Sequence, residues 1–185
     1  MSVKYLALLR GINVGGNCIV KMSDLVKTFE EMKLENVKTY IQSGNVIFTA
    51  AEKDRSKLTA AIEKALTNKY GFDARIVLLT LAEMKKIVAA IPDEWGADSG
   101  YRHDVWFLRE TLTVDEVMRN VRIRDGVDKV HGGKKVVYAS RLISHAGKSN
   151  LPKIIQLPLY QNMTIRNRNT TMKLLELMEN REGNL

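Results

Sequence analysis

A glycine-rich polar loop is the segment whose residue types are best suited to binding a ligand. It is the run Arg10-Gly11-Ile12-Asn13-Val14-Gly15-Gly16-Asn17, which follows an apolar stretch and precedes Ser23. Glycine permits positive φ and lets backbone N–H groups approach a ligand, while arginine and asparagine supply polar contacts. The glycine spacing differs from the dinucleotide fingerprint G-x-G-x-x-G, so a nicotinamide is not expected and no cofactor is predicted.

Polar side chains near this loop extend the candidate site. The residues of the 42–45 turn become its neighbours if the first strand ends beside them. The candidate binding residues in the first half of the chain are Arg10, Gly11, Asn13, Gly15, Gly16, Asn17, Lys21, Gln42, Ser43 and Asn45. The alternative is structural, since glycine loops also make tight connections between a strand and a helix.

Two basic segments in the second half could bind an anion. Gly147-Lys148-Ser149 resembles the end of a phosphate-binding P-loop, although Leu142 stands where the motif needs a glycine. Anion binding at the following helix start competes there with a plain cap by Ser149. The guanidinium groups of Arg166-Asn167-Arg168-Asn169 could hold phosphate or carboxylate, or this segment could be structural. Lys148, Arg166 and Asn167 therefore complete the candidate ligand-binding set.

The charge distribution favours an anionic partner. The net charge is +8, and the segment 129–175 contains lysines and arginines but no acidic residue. Such a field attracts phosphate-bearing small molecules or nucleic acid, and the alternative is a solvated basic face.

The sequence shows no signal that would direct the protein to a membrane or out of the cell. No stretch approaches the roughly 18 apolar residues of a membrane helix, and the first residues form a predicted strand rather than a signal peptide. The single Cys18 cannot form an internal disulfide, which agrees with a reducing compartment. We expect a cytoplasmic location and no membrane partner.

Catalytic and metal-binding chemistry lacks a complete motif. Ser43 stands in Gln-Ser-Gly-Asn rather than in Gly-x-Ser-x-Gly, and no paired catalytic carboxylates are evident. The three histidines and Cys18 do not have the spacing of a zinc site, so no metal is predicted. The catalytic residues are unknown, and whether the protein is an enzyme stays open.

The elements that must position these residues follow a βαββαβ order twice. Hydrophobic periodicity predicts strands over residues 5–10, 37–41, 46–49, 75–79, 105–108, 127–131, 135–139 and 163–166. It predicts helices over residues 24–33, 54–70, 80–91, 113–121, 150–157 and 170–180, with Ser23, Ser149 and Asn169 among the caps. The predicted class is α+β, with two tandem ferredoxin-like (βαββαβ) α/β plaits and additional linker and C-terminal helices.

The predicted domains are residues 1–80, a linker helix and loop over 81–102, and residues 103–185. In the first strand Leu6 and Leu8 alternate with Ala7 and Leu9, so both faces of that strand are apolar. A plait has helices on only one side of its sheet, so the open face needs cover from the other domain, which we favour, from extra helices or from a second subunit.

Three segments carry a resemblance to a known family. Residues 8–16 (LLRGINVGG), 39–46 (TYIQSGNV) and 164–167 (TIRN) resemble the signature segments of the bacterial domain-of-unknown-function family 1697. The resemblance implies a tandem plait and no established activity. The chain departs from the family at Arg168, where tryptophan is frequent.

Three functions follow as hypotheses. The leading one is binding of a phosphate-bearing ligand between the loop of residues 10–21 and the basic second domain. The second is binding of single-stranded nucleic acid through segment 129–175. The strand aromatics that could stack on bases are set in apolar pattern and are predicted to be core instead; they are Tyr5, Phe48, Trp106, Phe107 and Tyr138. The third is a protein-interaction module in which an apolar sheet face forms a homodimer, and the protein is expected to be a monomer or a homodimer.

Overall fold

The computed structural model describes residues 2–16, 18–95 and 100–180. The protein is an α+β protein with two four-stranded antiparallel sheets. Two compact units contain these sheets: Met1–Met84 together with Leu174–Leu185, and Lys85–Lys173.

The first sheet has the strand order β2-β3-β1-β4. Its unit contains β1 (Val3–Leu9), α1 (Met22–Glu31), β2 (Glu35–Tyr40), β3 (Asn45–Ala50), α2 (Arg55–Tyr70) and β4 (Ile76–Thr80), and α3 (Leu81–Ala89) begins there. In the middle of the sheet Leu8 of β1 pairs with Asn45 of β3 on one side and with Val77 of β4 on the other. The end of β1 therefore lies beside the start of β3.

The core of the first unit lies between this sheet and its two helices. Phe29 of α1 meets Phe48 of β3 edge to face, with ring centroids 5.3 Å apart. Helix α2 places Leu58, Ile62 and Leu66 in the interior, as their four-residue spacing predicts. The other face of β1 is also apolar and buried, and its residues include Leu6 and Leu8.

The second sheet has the strand order β6-β7-β5-β8. Its unit contains β5 (Tyr101–Leu108), α4 (Val114–Asn120), β6 (Asp128–Gly132), β7 (Val136–Leu142) and β8 (Met163–Asn167), and α5 (Arg168–Glu179) begins there, whereas the α5 residues from Leu174 onward belong to the first unit. Three short 3-10 helices connect β7 to β8: Ile143–Lys148, Leu151–Gln156 and Pro158–Asn162. The predicted helix over 150–157 is thus a 3-10 helix, and Pro158 limits its length because proline cannot continue a helix.

The structure corrects two predicted helix caps. Helix α1 begins at Met22, one residue before Ser23, and follows Lys21 without a side-chain cap. Helix α5 begins at Arg168, and the Asn167 side chain rather than Asn169 accepts from the Thr170 main-chain N–H at 2.8 Å. An asparagine cap accepts from an N–H about three residues later, which Asn169 cannot do once the helix has begun.

The connection between α3 and β5 also differs from the predicted linker. Residues Asp93–Trp95 form a 3-10 helix, and Tyr101 already belongs to β5. Residues 96–99 of the predicted linker lie outside the described residues. The five strand aromatics predicted to be core are all buried, with exposed fractions of 2% or less.

A capping box at the start of α3 makes stability sensitive to acid. Thr80 donates its main-chain N–H to Glu83 Oε2 at 2.9 Å, and Arg55 Nη2 lies 2.6 Å from the same oxygen. Burial by itself raises the pKa of Glu83, but the hydrogen bonds from Thr80 and the ion pair with Arg55 outweigh it and lower that pKa below 4.5. The unfolded carboxyl therefore takes up its proton first as the pH falls, so the stabilisation present above pH 4.5 is lost on acidification through the lowered pKa.

We expect Glu83→Gln to flatten the acid side of the stability profile. The measurement is urea unfolding between pH 3 and pH 7, with Glu116→Gln as the matched control. Glu116 forms the same box with Thr113 at the start of α4, but among the described residues no arginine side chain donates a hydrogen bond to it. An equal flattening in both variants would contradict a specific contribution of Arg55.

Candidate functional site

The glycine loop and the turn after β2 lie side by side. The Leu9 main-chain N–H donates to the Gly44 carbonyl at 2.8 Å, so the end of β1 is joined to the turn over residues 41–44. Positive φ angles concentrate in these two segments, at Gly11, Asn13, Gly15, Gly16, Cys18, Ile41 and Gly44. The structure therefore brings the described members of the predicted set in the first half of the chain into one neighbourhood.

The Asn13 side chain holds the two segments together. Its Oδ1 accepts from the Val20 main-chain N–H at 2.8 Å, and its Nδ2 donates to the Val20 carbonyl at 3.0 Å. The same Nδ2 donates to the Gln42 carbonyl at 2.9 Å. The amide that the sequence offers as a ligand contact is thus engaged within the protein.

The other predicted residues of this neighbourhood differ in exposure. Asn45 is buried, and its Nδ2 donates to the Tyr40 carbonyl at 2.9 Å and to Ser43 Oγ at 3.0 Å. Arg10 and Ser43 are partly buried, and the exposed members are Gly11, Gly15, Gly16, Lys21 and Gln42. A Cβ at Gly11, Gly15 or Gly16 would meet nothing within 4 Å, so positive φ rather than a close contact requires glycine there. Asn17 lies outside the described residues.

The predicted residues of the second unit serve internal contacts, apart from the exposed Lys148. Arg166 is only 7% exposed, and its Nη1 donates at 2.8 Å to both Thr164 Oγ1 and the Ile165 carbonyl. Burial lowers the pKa of Arg166 to about 10. Asn167 is exposed, and its side-chain oxygen caps α5.

A concave pocket in the second unit was not predicted. Its volume is about 440 Å³, and the residues around it are Asn120, Val121, Arg122, Arg124, Asn150, Lys153, Ile154, Gln156 and Leu157. One wall is the end of α4 with the connection to β6, and the other is the 3-10 helix Leu151–Gln156 with the residues beside it. We call it the basic pocket, after Arg122, Arg124 and Lys153.

The basic pocket has three cations and no acidic residue in its lining. Lys153 Nζ donates to Asn150 Oδ1 at 2.9 Å. Among the described residues, the guanidinium groups of Arg122 and Arg124 have no hydrogen-bond or ion-pair partner. Both arginines are exposed, so an anion entering the pocket can reach them.

A buried carboxylate holds the two walls of the basic pocket. Asp128 Oδ2 accepts from the main-chain N–H groups of Arg124 and Asn150, each at 2.9 Å. Its Oδ1 accepts from the Ser149 hydroxyl, so the serine of the P-loop-like segment is used internally. Asp128 carries one negative charge against the three cations of the lining, so it offsets only part of the positive charge around the pocket.

The floor of the basic pocket is apolar. Ile154 belongs to the buried core of the second unit, and Val121 and Leu157 pack against that core. The sequence pattern missed this site because Asp125 and Asp128 interrupt the basic character just before the acid-free segment 129–175. The available signal was the pair Arg122 and Arg124 directly after a predicted helix.

The described part of the chain has neither a metal-binding group of side chains nor a membrane-spanning helix. There, no three histidine, cysteine, aspartate or glutamate residues are grouped so that they could hold a metal ion. Of the helices described, none combines the length and the apolar character needed to cross a membrane.

The comparison with protein families decides the relationship that the three segments suggest. Residues 2–138 match the family described as "Protein of unknown function (DUF1697)". The chain belongs to this family. The match includes the segments 8–16 and 39–46 and the Arg122 wall of the basic pocket, whereas 164–167 and the Lys153 wall lie beyond it.

A solved structure supports the relationship over almost the whole chain. It is that of a conserved bacterial protein from Streptococcus pneumoniae, which is 29% identical and superposes with a TM-score of 0.85. The similarity covers 97% of this chain and 100% of the other. No curated protein matches the sequence. Membership of the DUF1697 family is thus confirmed, and the family description names no activity.

Proposed function

We propose that the protein binds a phosphate-bearing organic anion in the basic pocket. The observation on which this rests is the pair of guanidinium groups of Arg122 and Arg124, which have no partner among the described residues and border a pocket without acidic lining. Arginine binds phosphate and carboxylate through paired hydrogen bonds, so two of them favour a ligand group with several anionic oxygens.

The pocket floor defines the rest of the ligand. Ile154, Val121 and Leu157 offer an apolar surface below the cations. Small-molecule sites measure roughly 300–1,000 Å³, and the basic pocket of about 440 Å³ falls in this range. The ligand class is therefore a phosphomonoester with an apolar or aromatic body, whose body contacts the floor while its phosphate meets the arginines. Binding alone requires no catalytic group, and we assign no reaction.

The proposal retains the anionic ligand that the composition indicates and assigns it to a site within one unit. The ligand-binding roles of Arg10, Lys21 and Lys148 stay predictions, as does a cytoplasmic location.

We further propose that each unit is a ferredoxin-like plait. The strand orders β4-β1-β3-β2 and β8-β5-β7-β6 support this, because both place the first and third of four strands at the centre, although three 3-10 helices take the place of the second helix in the second unit.

Arg122→Gln and Arg124→Gln are each expected to weaken binding of phenyl phosphate about tenfold, which corresponds to about 1.4 kcal/mol for one lost charged contact. Isothermal titration calorimetry measures this at one fixed salt concentration. Inorganic phosphate is the second probe, and its binding is expected to be weaker than that of phenyl phosphate because it cannot use the apolar floor.

Arg119→Gln is the matched control, since Arg119 is an exposed arginine of α4 that does not line the pocket. It removes the same charge and should change affinity less than twofold. An equal loss in this control, or no binding of either probe to the wild-type protein, would refute the proposal. Salt-sensitive binding of a ten-nucleotide oligothymidylate, unaffected by phenyl phosphate, would instead favour the single-stranded nucleic-acid hypothesis.

A further inference from the structure

Three aliphatic side chains are exposed on the glycine loop and the turn beside it. Val14 is 64% exposed, Ile19 is 76% exposed and Ile41 is 48% exposed. We call them the aliphatic cluster. The proposed ligand site in the other unit does not involve them.

One side chain brings the three parts of the aliphatic cluster together. The Asn13 carboxamide bonds to Val20 and to Gln42. Val14 directly follows Asn13, Ile19 directly precedes Val20, and Ile41 directly precedes Gln42. Each aliphatic residue is therefore a chain neighbour either of Asn13 itself or of a residue whose backbone bonds to the Asn13 side chain. The cluster is a feature of the folded loops and not three scattered surface residues.

The backbone at Ile41 shows that this arrangement is costly. Its φ is +49°, a conformation that β-branched residues rarely adopt and that costs about 1–3 kcal/mol. Asparagine or glycine would adopt it more easily, and the exposed Ile41 side chain contributes little to the core in return. A strained, exposed isoleucine is expected where its side chain is used by a partner.

The charges around the aliphatic cluster define that partner. The segments 10–21 and 38–45 contain Arg10, Lys21 and Lys38 and no acidic residue. The nearby Asp73 pairs with Arg75, whose carbonyl accepts from the Arg10 main-chain N–H. The two segments that carry the aliphatic cluster thus combine exposed aliphatic side chains with a net positive charge.

We propose that the aliphatic cluster docks a peptide segment of a partner protein in which aliphatic side chains alternate with aspartate or glutamate. The aliphatic side chains of the segment would pack on the cluster, and its carboxylates would face the cations around it. A peptide fits better than a lipid surface, because interfacial anchors favour tryptophan, phenylalanine and leucine, and the cluster consists of valine and isoleucine. Since the loops are already held by Asn13, binding needs little ordering of this surface.

The test is selection from a displayed library of random twelve-residue peptides. The wild-type protein is the bait, and the triple variant Val14→Ser, Ile19→Ser, Ile41→Asn is used for counter-selection. The three positions are exposed and Asn tolerates positive φ, so the variant is expected to fold, which circular dichroism checks. Selected peptides should be acidic and aliphatic. Synthetic copies should bind the wild-type protein at least tenfold more tightly than the triple variant, and more weakly as salt is raised.

Three outcomes would overturn the proposal. In the first, no peptide is enriched over the counter-selected variant, or the enriched peptides lack acidic residues. In the second, vesicles of phosphatidylserine and phosphatidylcholine bind the wild-type protein but not the triple variant, which identifies a lipid surface. In the third, the wild-type protein forms a dimer that the triple variant lacks, which identifies a second copy as the occupant. None of these results depends on phenyl phosphate, so this proposal and the basic pocket fail independently.

Discussion

Gly44→Ala is expected to lower the free energy of unfolding by about 2–5 kcal/mol. Two effects add at this position. Gly44 has a φ of +73°, where a side chain costs about 1–2 kcal/mol. A new Cβ would also lie 2.7 Å from Leu9 Cβ and 2.8 Å from Ile12 Cδ1, and overpacking of this kind costs about 1–3 kcal/mol. The Leu9 Cβ lies next to the backbone of β1, so it cannot move aside cheaply.

Gly71→Ala separates these two effects. Gly71 has nearly the same φ, +74°, at the end of α2, but nothing lies within 4 Å of a Cβ placed there. Urea unfolding of both variants should show a loss of about 1–2 kcal/mol for Gly71→Ala, the backbone effect alone, and a distinctly larger loss for Gly44→Ala. Equal losses would mean that Leu9 and Ile12 accommodate the methyl group, which would remove the packing argument.

Asp128→Asn is expected to lower the free energy of unfolding by about 2–4 kcal/mol, because hydrogen bonds to a charged group contribute about 1.5–3 kcal/mol each and are not additive. The Asp128 carboxylate accepts from Ser149, Asn150 and Arg124. An asparagine of the same size keeps one acceptor oxygen and turns an NH₂ group towards N–H or O–H donors. With the amide oxygen in the place of Oδ2 the Ser149 hydroxyl loses its acceptor, and with the opposite orientation the main-chain N–H groups of Arg124 and Asn150 lose theirs.

A phenyl phosphate binding measurement on Asp128→Asn tests whether Asp128 shapes the basic pocket or contributes to stability alone. Below the unfolding transition, Asp128→Asn should still weaken phenyl phosphate binding, because a neutral amide holds the walls bearing Arg124 and Asn150 less firmly and this effect is expected to exceed that of removing one negative charge near the pocket. The control Asp125→Asn changes an exposed neighbour and should leave both stability and binding nearly unchanged. Unaltered binding by the folded Asp128→Asn variant would show that the walls keep their positions without this carboxylate.

The elements that the sequence predicts well are those with local causes. The helices predicted over 54–70, 80–91 and 113–121 are confirmed as α2, α3 and α4, and in the structure their caps at Asp54 and Gly71 and their boxes at Thr80 and Thr113 involve residues within a few positions of each other. The α1 cap was wrong for a local reason as well, because the helix starts without using a side chain and Ser23 lies inside it. The 3-10 helices between β7 and β8 are less predictable, since short apolar runs bounded by proline suit several conformations.

The candidate sites also differ in whether their features have local causes in the sequence. The glycine loop and its companion turn could be recognised because their residue types and family-like segments are contiguous. The sequence could not show which of their polar groups are free to bind a ligand, because the Asn13 carboxamide donates a hydrogen bond to the carbonyl of Gln42, which is 29 positions away. Besides the interruption of the basic character by Asp125 and Asp128, the basic pocket is missed because Arg124 and Lys153 belong to separate segments, which Asp128 joins by accepting from the N–H groups of Arg124 and Asn150.

The sequence by itself determined the α+β class, the order of most elements and the family, because hydrophobic period, caps and contiguous segments are properties of short stretches of chain. Only the tertiary structure decided which polar groups are engaged within the protein and which still face solvent. Arg166 and Asn13 were candidates by type and are engaged internally, whereas Arg122 and Arg124 were overlooked and face a pocket. Hydrogen-bond partners and concave surfaces arise from residues distant in the chain, and no local pattern encodes them.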